Sequence, residues 1–342
     1  MANTLRTFDG NFYVGKQSGK GSAASVFHSF RRVDGRISIN KELDSVNYVD
    51  GSAWAADDFD FVKKISGAGS ITLQATPANA GRLMAWALGG TDTVTGSSAP
   101  YTHTIVAGSG LTYLTVRDGV GTIGGVTDAR QWTDCVITQV ELTSTSDAGV
   151  VTIKIDLLAI TANDSGGSAA PAPDTVDGEP LLHTQAVGNI KLAGLNSGAG
   201  VPEIEQFSLT LDTNIELLYG DNLTAYIAHR KRGQISWSCS AAVTDTTIQL
   251  LNQHLYGTSS PSFGASPSTT VLTGVFNPKF VQSANSELSI NIPKSKIAID
   301  TGSIDPNATG DKATVAIAGV ARTPSSGALI TVAAKTADSA AY

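Results

Sequence analysis

The chain has 342 residues, of which 41% are hydrophobic and 15% charged, with a formal net charge of −7. That length suits two domains of ordinary size, and the composition supports a packed core and excludes wholesale disorder. The acidic balance argues against a dedicated nucleic-acid reader, which gains affinity by neutralising phosphates with a basic surface.

No apolar run approaches the roughly 18–20 residues that a membrane-spanning helix needs, and Met1–Gly10 carries Arg6 and Asp9 where a signal peptide would have an apolar core. Synthesis and folding in the cytoplasm, with no membrane partner, are therefore expected. Thirty-five glycines and abundant Ser, Thr, Ala and Val imply short strands broken by frequent turns.

In chain order, Ile37 and Ile39 alternate with Ser38 and Asn40, the period of a half-buried strand. Residues 44–65 read as a long loop, and a strand follows through Ile71 and Leu73. A helix is predicted over 77–88. Thr76 can cap it, Pro77 sits where a missing N–H does no harm, Ala80, Leu83, Met84, Ala87 and Leu88 form an apolar stripe, and Gly89 ends it. Further on, Val136, Thr138, Val140 and Leu142 alternate with Gln139 and Glu141, residues 146–149 make a turn, and Val151, Ile153, Ile155 and Leu157 alternate with Thr152, Lys154 and Asp156. This pattern is a hairpin with one apolar and one wet face. Residues 163–180, rich in Ser, Gly, Ala, Pro and Asp, have a linker composition and divide the chain into units 1–165 and 166–342.

The same order then returns. Phe207, Leu209 and Leu211 alternate with Ser208, Thr210 and Asp212, and residues 234–240 form another period-two strand. A second helix is predicted over 245–256, capped by Thr244 or Asp245, with Ile248, Leu251 and Leu255 as its stripe and Gly257 as its end. Leu288–Ile292 reads as a strand that stops, or lies at an edge, at Pro293; Val315 and Ile317 supply one more. The two helices are offset by about half the chain, as duplication of one unit requires. The expected fold is mainly β: two tandem, homologous β-sandwich or barrel domains, each with one short α-helix.

Nothing in the sequence assembles catalytic chemistry. Cys135 and Cys239 stand far apart outside any Cys-x-x-Cys pattern and read as two buried thiols. The histidines at 28, 103, 183, 229 and 254 lack metal-ligand spacing. Gly119–Gly124 matches Gly-x-Gly-x-x-Gly, but too little chain follows for the helix of a dinucleotide site. Gly15–Ser22 fails the phosphate-loop pattern, because Lys20 is followed by Gly21, and no Gly-x-Ser-x-Gly elbow occurs. The basic run His229–Arg232 reads as a solvated turn or as a contact to acidic groups of another subunit. No catalytic residue, cofactor or metal is expected.

Several stretches resemble the tail tube proteins of long-tailed bacteriophages. Phe12–Ala24, with Gly15, Gln17, Gly21 and Ala24, is similar to the opening of that family. So are Gly67–Leu73 with the helix after it and Ala87–Gly89. In the second unit, Pro180–Leu192 and Phe207–Glu216, including Asp212 and Asn214, resemble the family's second half.

The resemblance implies a structural virion protein and not an enzyme: a subunit whose sheet joins its neighbours' sheets into rings, which stack into a hollow tube in the virion tail. Most members form six-domain rings; a duplicated chain would satisfy the same ring with three subunits, the reading preferred here over a hexamer. The implied partners are further copies of the chain, the tape measure protein, the tail terminator and distal tail or baseplate proteins, and double-stranded DNA in transit without sequence-specific binding. Candidate lumen-facing residues are Gln139, Glu141, Thr152, Lys154, Asp156, Ser38, Asn40, Ser208, Thr210 and Asp212, with the tube exterior as the alternative location. Candidate inter-ring contacts are Tyr48, Trp54, Phe59 and Phe61 of the 44–65 loop, which could instead fold over its own domain. The inner tube of a contractile tail and a β-sandwich module binding carbohydrate or a host protein are the competing readings.

Overall fold

The computed structural model describes residues 11–46, 59–123, 126–161, 178–186, 204–300 and 313–342. Strands β1 (Asn11–Lys16), β2 (His28–Phe30), β3 (Arg32–Val46) and β4 (Phe59–Gln74) precede helix α1 (Pro77–Leu88). Strands β5 (Asp92–Thr95), β6 (Tyr101–Val106), β7 (Leu114–Ile123), β8 (Val126–Thr145) and β9 (Thr152–Thr161) follow it. After the short helix α2 (His183–Ala186) come β10 (Ile204–Asp212), β11 (Ile215–Leu218), β12 (Ile227–Arg230) and β13 (Gln234–Ala242). Helix α3 (Asp245–Tyr256) leads to β14 (Thr273–Phe276), β15 (Lys279–Ser283), β16 (Ser286–Ile299), β17 (Thr314–Ala321) and β18 (Thr331–Thr336).

The fold is mainly β, as expected. Its spine is an antiparallel run of strands in the order β3-β4-β9-β8-β10-β13-β17-β16. Alternation puts one side chain in two on the core face, where Ile37, Ile71, Ile155, Val140, Leu209, Trp237 and Ile317 are buried. The core side is closed by a second layer, β15-β16-β18-β6-β5, with α1 packed between β8 of the spine and β16, β18 and β6 of that layer.

Strand β16 belongs to both layers. It pairs with β18 over Glu287–Asn291 and with β17 over Ser295–Ile299. The change of partner flanks Pro293, and on the opposite side β14 shifts register between Gly274 and Phe276. Of the two expectations for Pro293, a stop or an edge, the stop does not hold: the strand continues to Ile299. The residue without an N–H falls at an irregularity of the ladder, where no hydrogen bond is lost.

Helix α1 matches its sequence prediction at both ends. Thr76 Oγ1 accepts from the Asn79 N–H (3.2 Å), Asn79 Oδ1 accepts from the Thr76 N–H (2.7 Å), and Gly89 closes the helix at φ 59°. Every residue of α1 is buried. Helix α3 also spans its predicted residues, but the expected stripe is not the buried face. Thr247 and Leu250 are buried, Leu251 is partly buried against the core, and Ile248 is 44% exposed. A 3.6-residue period defines a face without saying how much of it the tertiary structure covers.

Residues 331–342 pack into the first half of the chain. Strand β18 pairs with β6, Thr331 opposite Val106, so a strand from the second unit completes the first. Beyond it, the Tyr342 ring stacks on His103 (centroids 4.0 Å apart), its N–H donates to Asp92 Oδ2 (2.9 Å), and Lys16 Nζ donates to its carbonyl (2.7 Å). His103 lies fully buried between Asp92 Oδ2 (2.8 Å) and the Asp338 carbonyl (3.0 Å), and Arg82 of α1 pairs with Asp338 at 2.5 Å. One hydrophobic core runs through both units. Most of the 163–180 linker lies outside the described residues.

Candidate assembly surface

Opposite the core, the spine presents one continuous polar face. All ten residues expected on the wet side of their strands are on it, aligned in rows. One row runs Arg36, Ser70, Asp156, Gln139, Asp212, Gln234, and the next runs Asp34, Thr72, Lys154, Glu141, Thr210, Ser236. Thr152 and Ser208 belong to a third row, joined through Thr143, while Ser38 lies on β3 opposite Ala68, and Asn40 opposite Ser66. Ser38, Asn40, Lys154 and Asp212 are exposed; Gln139, Glu141, Thr152, Asp156, Ser208 and Thr210 are half-buried beneath their neighbours. Ser208 Oγ donates to Glu141 Oε1 (2.9 Å) across the junction of β8 with β10.

Sequence reasoning missed the rest of this face. Ser70 and Thr72 alternate with Ile71 and Leu73, a legible signal, and Ser236, Ser238 and Ser240 alternate with Trp237 and Cys239. Ala316, Ala318 and Ala298 continue the face, and nothing in their type marks them as polar-side residues. Carboxylates at Asp34, Glu141, Asp156, Asp212 and Asp300 outnumber the basic Arg36, Lys154 and Lys296.

The expected 44–65 loop is strand at both ends. Strands β3 and β4 form a long hairpin arm, paired from Arg32 opposite Leu73 out to Val46 opposite Phe59. The stretch does not read as strand from sequence because a two-stranded ribbon that projects from the sheet has no single core face to impose alternation. Phe61 lies on β4 opposite Asp44 and is half-buried; Phe59 is its neighbour on the same strand; Tyr48 and Trp54 fall outside the described residues. Lys63 reaches Glu42 (3.7 Å) and Asp44 (3.3 Å), exposed pairs worth at most about 1 kcal/mol each.

A second, much shorter two-stranded arm, β11 paired with β12, follows β10. Asp212 and Asn214, two of the residues carrying the family resemblance, bend the chain into it: the Asn214 N–H donates to Asp212 Oδ1 (2.8 Å), and Asn214 takes φ 50°, a conformation its side chain tolerates. The connection between β11 and β12 docks on the long arm, with the Ile65 N–H donating to the Leu223 carbonyl (2.8 Å) and Lys64 above the Tyr219 ring.

The basic run at 229–232 has an intrachain role that neither expectation foresaw. Arg230 Nη1 donates to the carbonyls of Leu88 (3.2 Å) and Gly110 (2.7 Å), placing a cation on the negative end of α1, and Lys231 pairs with Glu216. The opening motif clamps β7 and β8: Gln17 Nε2 and the Ala24 N–H both donate to Thr115 Oγ1 of β7 (2.9 Å each), and the Gly21 N–H donates to Asp134 Oδ1 of β8 (2.7 Å). Gly119–Ile123 of the Gly-x-Gly-x-x-Gly match lie within β7, paired to β8.

Cys135 and Cys239 are both buried, which pushes both thiols up, Cys239 to about 12. Across the spine from β13, Gly319 faces Trp237 so closely that a Cβ there would lie 2.2 Å from the indole; the ring stacks on Phe276 and its N–H donates to Ser295 Oγ (3.0 Å). Among the described residues there is no group of three or more metal-ligating side chains and no helix long and apolar enough to cross a membrane.

A surface of paired sheets with unpaired margins suits assembly. No curated protein matches the chain. The family model described as phage tail tube protein matches residues 7–321, nearly the whole sequence. The chain belongs to the phage tail tube protein family, a structural component of the virion tail that assembles with copies of itself into a tube.

Proposed function

We propose that the chain is a duplicated tube subunit, three copies of which close into a ring of six equivalent domains, and that such rings stack into the tube of a long, non-contractile tail. The observation that carries this reading is the repeat of strand order. The first unit contributes β3-β4-β9-β8 and the second β10-β13-β17-β16, each with its helix following the second strand named. The last strand of the first set pairs with the first strand of the second. Each chain thus contains one finished junction between tube domains and, at β3 and β16, the two halves of another. Repeating that junction head to tail generates a closed cylinder without exposed edges.

In this arrangement the polar face of the spine lines the lumen. Its Ser, Thr and Ala residues offer DNA little to hold, and its excess of carboxylates repels phosphate, so the genome slides through during ejection once the tape measure protein has left. The long β3–β4 arm, one per chain, reaches the next ring, and terminator and distal tail or baseplate proteins close the two ends. Electron microscopy of the purified protein tests the reading. Tubes or rings with three long arms per layer support it; a folded chain that stays monomeric at high concentration counts against it.

A further inference from the structure

The finished junction inside each chain specifies the unfinished one residue by residue. Ile71 and Cys239 each stand six residues ahead of the helix that follows. Register across the ladders extends this equivalence. Gly69 pairs with Ile37 as Trp237 pairs with Leu209, so Ile39 takes the place of Leu211. Ile71 pairs with Ile155 and through it meets Val140, as Cys239 pairs with Ile317 and through it meets Ile299. Within the chain, Leu211 lies opposite Val140 and Asp212 opposite Gln139.

From this template, which rests on the ring reading above, we propose that β3 of one subunit adds to β16 of the next with Ile39 opposite Ile299 and Asn40 opposite Ala298. The backbone directions agree. Asp300 donates its N–H to Ala316 on β17, so the Ile299 N–H, one residue back, points to the other side. There Ile297 donates to Leu272, and from Ala298 on no described strand is paired. The Gln74 N–H at the end of β4 donates to the Arg31 carbonyl, which turns even-numbered β4 residues toward β3; through the register, even-numbered β3 residues face β4 and the backbone groups of Ile39 lie on the open edge.

Two side-chain observations favour the same register. Ile39 is 41% exposed, whereas Leu211, its equivalent at the finished junction, is 2% exposed; the partner strand supplies the missing cover. The Ser208–Glu141 hydrogen bond maps onto Arg36 and Asp300, a pair of opposite charges.

At the template, the Thr213 N–H donates to the Thr138 carbonyl, so Asp212 and Gln139 form the adjacent non-hydrogen-bonded pair, where Cα atoms lie about 4.5 Å apart and a disulfide fits. The test is a chain carrying Asn40→Cys and Ala298→Cys, assembled and then mildly oxidised; Cys135 and Cys239 are buried spectators. Covalent dimers and trimers, with trimer as the end point on a non-reducing denaturing gel, are expected. A chain with Asp212→Cys and Gln139→Cys should form its disulfide internally. Assembled rings in which the Asn40→Cys/Ala298→Cys pair stays reduced, or in which Asn40→Cys links to Lys296→Cys, overturn the register and leave ring closure standing. A folded protein that never assembles overturns both. Independently, Arg36→Asp should reduce assembly at least tenfold and the double swap Arg36→Asp with Asp300→Arg should restore it; absence of restoration counts against the register.

Discussion

Helices α1 and α3 each have 12 residues, each starts after a Thr whose side chain accepts from the third helical N–H, and each ends at a left-handed Gly. Their surroundings differ completely. α1 is buried along its whole length because β18, β16 and β6 cover the side that the spine leaves open, and even its polar members are engaged, Arg82 by Asp338 and Asn79 by Thr76. Only Thr247 and Leu250 of α3 are buried. Local sequence therefore specifies where a helix starts and stops, while strand connectivity decides what it is worth to the fold.

The sharpest way to break this comparison is a matched pair of truncations. Leu83→Ala, at a fully buried site, should cost about 2–5 kcal/mol in urea unfolding, whereas Ile248→Ala should cost less than about 1 kcal/mol in the unassembled chain. Equal losses would mean that the two helices are equivalent after all.

Arg230→Met comes next. It strips the charged donor from the C-terminal end of α1, for which α3 has no counterpart among the described contacts, and should cost about 1–2 kcal/mol, with hydrogen exchange accelerated at Ala85–Leu88.

The Arg82–Asp338 pair sharpens the comparison through pH. Burial pushes the Asp338 carboxyl up, but hydrogen bonds from Arg82 and the Ala340 N–H and the nearby positive charges outweigh it and hold the group below its ordinary value. A depressed carboxylate contributes stability above its unfolded value of about 4 and loses it as pH falls toward the lower folded value. Asp338→Asn should therefore flatten the fall in stability below about pH 4 and lower stability near neutrality.

The caps test the comparison at the helix starts. Thr76→Ala, which breaks a reciprocal pair with Asn79, should cost about 1–2 kcal/mol, and Thr244→Ala, with a single capping bond at 3.4 Å, about 0.5–1 kcal/mol.

Much of the fold was legible because it is local. Caps and stop residues placed both helices correctly, and period-two alternation identified the hairpin of β8 and β9 together with the polar side of β3 and β10. Three features were not legible. The long arm lacks the alternation that a one-sided sheet imposes. The pairing of β18 with β6 joins residues more than two hundred positions apart, and no periodicity encodes a partner. The Arg230 contact joins a charged turn to carbonyls whose availability depends on where α1 ends in space. For the assembly surface, residues that alternate with strong hydrophobes were found, and the alanines were not, because a methyl group suits either side of a sheet.

The crossing of β18 onto β6 orders events during synthesis. A nascent chain can form β6 early, but the layer that shields α1 has to wait until residues 331–336 leave the ribosome. Until then β16 also lacks its inner partner over Glu287–Asn291. Under the proposed ring reading, the spine strands that would meet a neighbour are made before the layer behind them is complete, so a subunit finishes folding only once β18 has been synthesised.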